Sequence, residues 1–173
     1  TYGVEEARDL RALVDELDRR DLLVLPLGVQ GTSYGAATAI QYAAIDERVT
    51  TTVAIAPFAS LREVVPAYVE WMGGPLAILV SADWTRDVID QAGDEASFDP
   101  DLACPRCVAP NIQGSLFLIH AKDDERIPWQ HSVSIRDAAD AQLMLVDEAG
   151  HLGIGSAAGV PEATARWFEQ ELR

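Results

Sequence analysis

Apolar and polar positions change period repeatedly along this chain. Over residues 4–20 the apolar side chains Val4, Ala7, Leu10, Val14 and Leu17 recur at helical spacing, while Asp15/Arg19 and Glu16/Arg20 stand four apart with the acid first. This predicts an amphipathic helix with cations at its C-terminal end. Residues 22–30 are apolar but contain Pro26, which suits a lead-in better than a central strand, so the strand is expected at about 27–31. A helix of small residues follows over about 34–44. The β-branched run 50–56 reads as a buried strand, and Ser60 with Glu63 has the spacing of a capping box that opens a helix to about Met72, with Pro66 as a candidate bend.

From 73 to 110 the pattern loosens into helical pieces at 76–82 and 85–92 and a proline-containing connection. Regular periods then return: strand 115–120, helix 128–139, strand 142–146, and a last helix over 160–172 with Pro161 in its first turn. Strands alternating with helices four times predict a single α/β domain over 1–173, a mostly parallel sheet with helices on both faces, and 73–110 as a short cap inserted within it.

Composition narrows the class. A chain of 173 residues can bury a substantial core, and 49% apolar residues exclude disorder. The most apolar run, 75–80, is far below the roughly 18 residues that a membrane span needs. A net charge of −15 repels phosphate backbones and anionic bilayers, so neither nucleic acid nor membrane is an expected partner. The expected class is a soluble globular chain. Its start at Thr1, without Met or a signal-like segment, is expected to be a processed or trimmed boundary; it leaves the compartment unread, with the cytoplasm as the default. Cys104 and Cys107 have a CxxC spacing and are expected as structural thiols or a local disulfide, with a regulatory redox pair as the alternative. No second CxxC or HxxxH completes a four-ligand zinc site, so no metal and no cofactor are expected.

Chemistry concentrates in Gly31-Thr32-Ser33-Tyr34-Gly35, a G-x-S-x-G pentapeptide between an apolar strand and a small-residue helix. A sharp strand-to-helix turn strains the backbone of its serine, and both flanking glycines are expected to relieve clashes where strand and helix approach. Ser33 then stands at a helix N-terminus, where the Tyr34 N–H and the helix dipole can stabilise an oxyanion. A serine hydroxyl needs a base, and the base an orienting acid. His151 follows the last predicted strand, and Asp123 and Asp124 follow strand 115–120; the spacing to Pro128 favours Asp124. His120 is expected to be a buried histidine that shapes the acid loop, and His131 a surface or rim residue. Phe58, Trp71, Trp84 and Trp129 are candidates for lining an acyl or aromatic substrate pocket, Phe58 and Trp129 foremost, with core packing the stronger reading for Trp71 and Trp84. The run 123–125 lacks the spacing of a cation-binding loop and reads as an exposed acidic turn.

These motifs together resemble the C-terminal two-thirds of an α/β-hydrolase of the serine esterase and peptidase-like group. Gly31–Gly35 resembles its nucleophile elbow, Asp124 with Pro128 its acid loop, and Gly150-His151 its histidine loop, in the chain order Ser33, Asp124, His151. Ala121 departs from the glycine that the family often has after the histidine at position 120. The resemblance implies a serine hydrolase of an ester, thioester or amide, and the few bulky side chains of the cap 73–110 lead to the expectation of a small to medium acyl or peptide-like substrate. It implies that the four predicted strands are the fifth to eighth of eight. The loop supplying a second oxyanion donor is then absent, which typically costs about 10²–10³ in rate. Strand 27–31 becomes an uncovered apolar edge, so a homo-oligomer or a partner chain covering it is expected. The alternative is a non-catalytic binding or scaffold subunit of the same fold.

Overall fold

Four strands, β1 (Leu27–Thr32), β2 (Val49–Ile55), β3 (Ser115–Ala121) and β4 (Ala141–Val146), lie in the order β1-β2-β3-β4, and every pairing is parallel. The computed structural model describes residues 1–173. Parallel neighbours require a crossover, and each one here carries helix: α2 (Tyr34–Ala43) between β1 and β2, α3 (Leu61–Gly73), α4 (Ala82–Ala96) and α5 (Pro105–Val108) between β2 and β3, and α6 (Gln130–Ala138) between β3 and β4. Helix α1 (Val4–Arg19) precedes the sheet and packs on α2; α7 (Gly150–Gly153) and α8 (Val160–Glu171) follow it.

Side-chain alternation sorts the core into layers. Val53, Ile55, Phe117, Ile119 and Ala121 face α8, where Phe117 stacks on Trp167 with ring centroids 4.9 Å apart. Their neighbours Ala54, Leu116 and Leu118 face α2 and α6 through Ala36, Ile40 and Ile135. A sheet buried on both sides explains why β2 and β3 are rich in β-branched and apolar residues. Among their buried polar residues, Thr51 accepts from Trp167 Nε1 and Ser115 Oγ, each at 2.7 Å, whereas Thr52 Oγ1 has no partner. The sheet has β1 at one edge, with β2 as its sole neighbour.

The strands and long helices fall where the hydrophobic periods place them, within one or two residues. The capping box is half formed as expected, Ser60 Oγ accepting from Glu63 N, and α3 runs on through Pro66 to Gly73. Differences concentrate in the irregular stretch. The expected helix at 76–82 is a 3₁₀ segment, Gly74–Leu79, with no buried residue, and α4 is longer than expected because Ser81 caps it, accepting from Trp84 N at 3.1 Å. Cys104 and Cys107 form the local disulfide.

Register brings the chemistry to one side. Thr32 is level with Ile55, Ile119 and Met144, so Ser33, the Ala56–Phe58 turn, the loop after Ala121 and the loop after Val146 all leave from the C-terminal ends of the strands. Open parallel sheets bind ligands outside these ends.

Candidate active site

The turn that carries Ser33 is built by three hydrogen bonds and one missing Cβ. Ser33 N–H donates to the Ile55 carbonyl at 2.7 Å, continuing the sheet ladder by one residue, while its own carbonyl accepts from Ala36 N at 3.0 Å and Ala37 N at 3.2 Å, opening α2. Serving both elements holds Ser33 at φ 56°, ψ −119°, a region that side-chain-bearing residues rarely adopt. A Cβ on Gly31 would overlap the carbonyl and carbon of Gly35 and the amide of Ala36. At Gly35 a Cβ would meet nothing within 4 Å, which corrects the expectation that both glycines relieve clashes. The asymmetry is measurable: Gly31→Ala should destabilise by about 1–3 kcal/mol or more, as overpacking against immobile backbone does. Gly35→Ala, inside a helix with room for a methyl, should be neutral or stabilising by up to about 1 kcal/mol. Chemical denaturation of both variants checks this, and equal losses would refute the packing difference.

His151 lies on α7, entered through Gly150 at φ +57°. Its ring is buried, with Nε2 2.9 Å from Ser33 Oγ and Nδ1 2.7 Å from Asp124 Oδ2. A carboxylate only accepts, so Nδ1 carries the proton toward Asp124 and Nε2 presents its lone pair to the serine hydroxyl. Asp124 is buried, which by itself pushes its carboxyl up. Hydrogen bonds from His120 and His151, the Ile127 N–H and the nearby His151 ring outweigh that and hold it well below the usual carboxylate range. Its Oδ1 accepts from Arg126 N at 3.0 Å and Ile127 N at 2.9 Å. The structure thus brings Ser33, His151 and Asp124 into one hydrogen-bonded series, which can move a proton from oxygen to nitrogen while a fixed negative charge faces the ring.

The neighbouring acid has a different place. Asp123 is exposed, and its Oδ1 accepts from Ala149 N at 3.1 Å and Gly150 N at 3.0 Å; those two N–H groups hold its carboxyl below the usual range. It ties the histidine loop to the acid loop, a role that the paired aspartates did not reveal in sequence.

His120 is buried as expected. Its Nε2 lies 2.8 Å from the Ile127 carbonyl, which can only accept, so Nε2 carries the proton and Nδ1 accepts from Ser132 Oγ at 2.7 Å. The same Nε2 is 3.3 Å from Asp124 Oδ2, adding a second imidazole N–H beside that carboxylate. His131 is not at the surface or rim: it is buried on the inward side of α6, where Nδ1 accepts from Ala59 N at 3.2 Å, and burial pushes its pKa down. The helix was placed correctly, but its inward face was not, because His131, Ser132 and Ile135 form a stripe with only one apolar member.

Tyr34 begins α2, so its N–H has no partner within the helix. Its hydroxyl donates to Glu6 at 2.6 Å, anchoring the residue after the serine to α1, and burial with the Glu6 carboxylate pushes the phenol up to about 12.

A cavity of about 650 Å³ opens beside Ser33, with Phe58 in its wall as expected. Trp129 does not line it: Ile127 does, after which the chain turns at Pro128 into α6 with Trp129 at the helix cap. Trp84 was expected in the core but is 55% exposed and lines the cavity. The buried stripe of α4 is Thr85, Ile89 and Gly93, and Trp84 stands one position off it, on a line of the same four-residue spacing with Val88. Trp71 is 40% exposed and carries the Arg126 guanidinium 4.6 Å over its ring, so it is not core packing either.

No family model matches the chain. Among curated proteins, a 5-methylorsellinic acid synthase of Aspergillus terreus is 30% identical over 110 residues, 53% of this chain and 4% of that protein. Among solved structures, an esterase of Pyrococcus furiosus superposes with a TM-score of 0.73 at 18% identity, covering all of this chain and 64% of its own. A 2,6-dihydroxy-pseudo-oxynicotine hydrolase gives 0.70 at 16% identity, over 96% of this chain and 46% of its own. The dipeptidyl peptidase 4 of Porphyromonas gingivalis gives 0.71 at 16% identity, over 98% and 23%. The chain therefore spans less than two thirds of the length of each of these proteins.

Proposed function

We propose, from the premise that this chain has the α/β-hydrolase fold, that it is a serine hydrolase cleaving a carboxylic ester, thioester or amide. The observation that carries this reading is the continuous series Ser33 Oγ, His151 Nε2, His151 Nδ1, Asp124 Oδ2, with links of 2.9 and 2.7 Å. Ser33 Oγ attacks the acyl carbon as His151 Nε2 takes its proton, and Asp124 holds the imidazole in the required tautomer and stabilises its charged form. The oxyanion forms at the N-terminus of α2, where the Tyr34 N–H donates to it. Collapse breaks the bond to the leaving group, which receives the proton from His151, and leaves the acyl group on Ser33. Water, deprotonated by the same nitrogen, attacks this acyl-enzyme, releasing a carboxylic acid and restoring the serine. No step needs a cofactor. The named activities of the structural relatives, an esterase, a hydrolase and a peptidase, fit this reaction class.

The test is labelling of the purified chain with a fluorophosphonate and mapping of the adduct. Stoichiometric modification at Ser33, absent in Ser33→Ala, is expected. An unlabelled but demonstrably folded sample would count against an activated nucleophile and favour a binding or scaffold role for the same fold.

A further inference from the structure

The cavity beside Ser33 differs from the rest of this acidic molecule. Eleven of its thirteen lining residues are hydrophobic, among them Phe58, Val64, Met72, Trp84 and Ile127, and none is Asp, Glu, Lys, Arg or His. The whole chain carries 41 charged side chains apart from histidine. Arg126, whose neighbour Ile127 is in the wall, directs its guanidinium onto Trp71 instead. The polar side-chain groups that remain are the Ser33 hydroxyl, the Trp84 indole N–H and tyrosine phenols, of which that of Tyr34 is held by Glu6.

We infer that this cavity is the acyl site, and that the group it takes is uncharged and apolar: a medium-length alkyl chain or an aryl group attached to the carbonyl that Ser33 attacks. The inference rests on the reading of Ser33 as the nucleophile. Three properties of the cavity support it. The volume, about 650 Å³, lies in the middle of the range of about 300–1,000 Å³ for small-molecule pockets, more than an acetyl group fills. A carboxylate placed there would give up part of its water with no side chain of opposite charge in the lining to meet it. Met72, Gly73, Val80 and Trp84, at the end of α3, beyond the 3₁₀ segment and at the start of α4, form part of the wall, so the stretch expected as a cap contributes to the acyl pocket.

Binding can be measured without turnover. In the Ser33→Ala protein, titration calorimetry with methyl butanoate, hexanoate and octanoate should show affinity rising about fourfold per added methylene until the cavity is filled. An ester of hexanoate length ending in a carboxylate should bind at least about 100-fold more weakly, because the partly desolvated anion finds no partner. Trp84→Ala in the same background should flatten the chain-length dependence, and the exposure of that side chain leaves little packing to lose. Flat affinities across the series, a preference for the carboxylate ester, no binding of any ester, or a dependence unchanged by Trp84→Ala would each overturn the assignment. Failure of Ser33 to react with a fluorophosphonate would instead sink the hydrolase reading while leaving the binding series intact. A labelled Ser33 beside a flat series would sink the acyl-site assignment alone.

Discussion

Ser33→Ala is expected to lower kcat/KM on a short-chain acyl ester by about 10⁴–10⁶, the scale seen when members of such a set act as a unit. The size follows from what the hydroxyl does in this geometry. Its oxygen is the atom that bonds to the acyl carbon, and at 2.9 Å from His151 Nε2 it is the group whose proton that ring takes. Without it the cavity and the Tyr34 N–H still bind and polarise a carbonyl, but no acyl-enzyme forms and only direct attack by water remains. The fold should be untouched. The elbow is made by the Ser33 backbone, through Ile55, Ala36 and Ala37, and the side chain caps nothing. Steady-state kinetics with a melting curve on the same sample makes the check. A loss of less than about tenfold with an unchanged melt would remove Ser33 from the reaction.

Asp124→Asn is expected to cost about 10⁴ in kcat, the loss that follows when the histidine is held in the wrong tautomer. The hydrogen bonds decide how the amide would sit. The Oδ1 position accepts from two backbone N–H groups, Arg126 and Ile127, so the single oxygen of Asn belongs there. Its NH₂ then takes the place of Oδ2, facing His151 Nδ1 and His120 Nε2. Nδ1 becomes an acceptor, the ring proton moves to Nε2, and the lone pair that should meet Ser33 is gone. Asp123→Asn provides the contrast. Asn keeps an oxygen that can accept from Ala149 and Gly150, so the loss should be within about tenfold, the ordinary range for an exposed substitution. If the two variants lost rate equally, Asp124 would not be the acid.

Local rules carry much of this protein. Each strand and each long helix is legible in its hydrophobic period, because a strand buried on two faces and a helix buried on one must repeat their apolar residues at the spacing of the backbone. The pentapeptide 31–35 is legible for a similar reason: the turn it makes is local, and Gly31 must lack a Cβ whatever lies farther away. The order of Ser33, Asp124 and His151 along alternating strands and helices sufficed to bring them to one end of a parallel sheet.

Other features needed the tertiary structure, since they depend on which distant groups meet. The spacing to Pro128 favours Asp124 over Asp123 in sequence, but the separate task of Asp123, holding the Ala149 and Gly150 N–H groups, rests on bonds between loops 26 and 27 residues apart. His131 is buried because Ala59, 72 residues away, supplies an N–H for its Nδ1, a partner that no helical period announces. Trp84 lines the cavity and Trp129 does not because the wall takes residues from α3, α4 and the acid loop, and the direction of a tryptophan ring is set by the packing of its helix. Sequence alone determined the elements, their order and the serine turn, which arise from short-range sterics and burial. The role of Asp123, the burial of His131 and the apolar cavity were decided by tertiary structure, because each is a relation between residues that only the closed fold brings together.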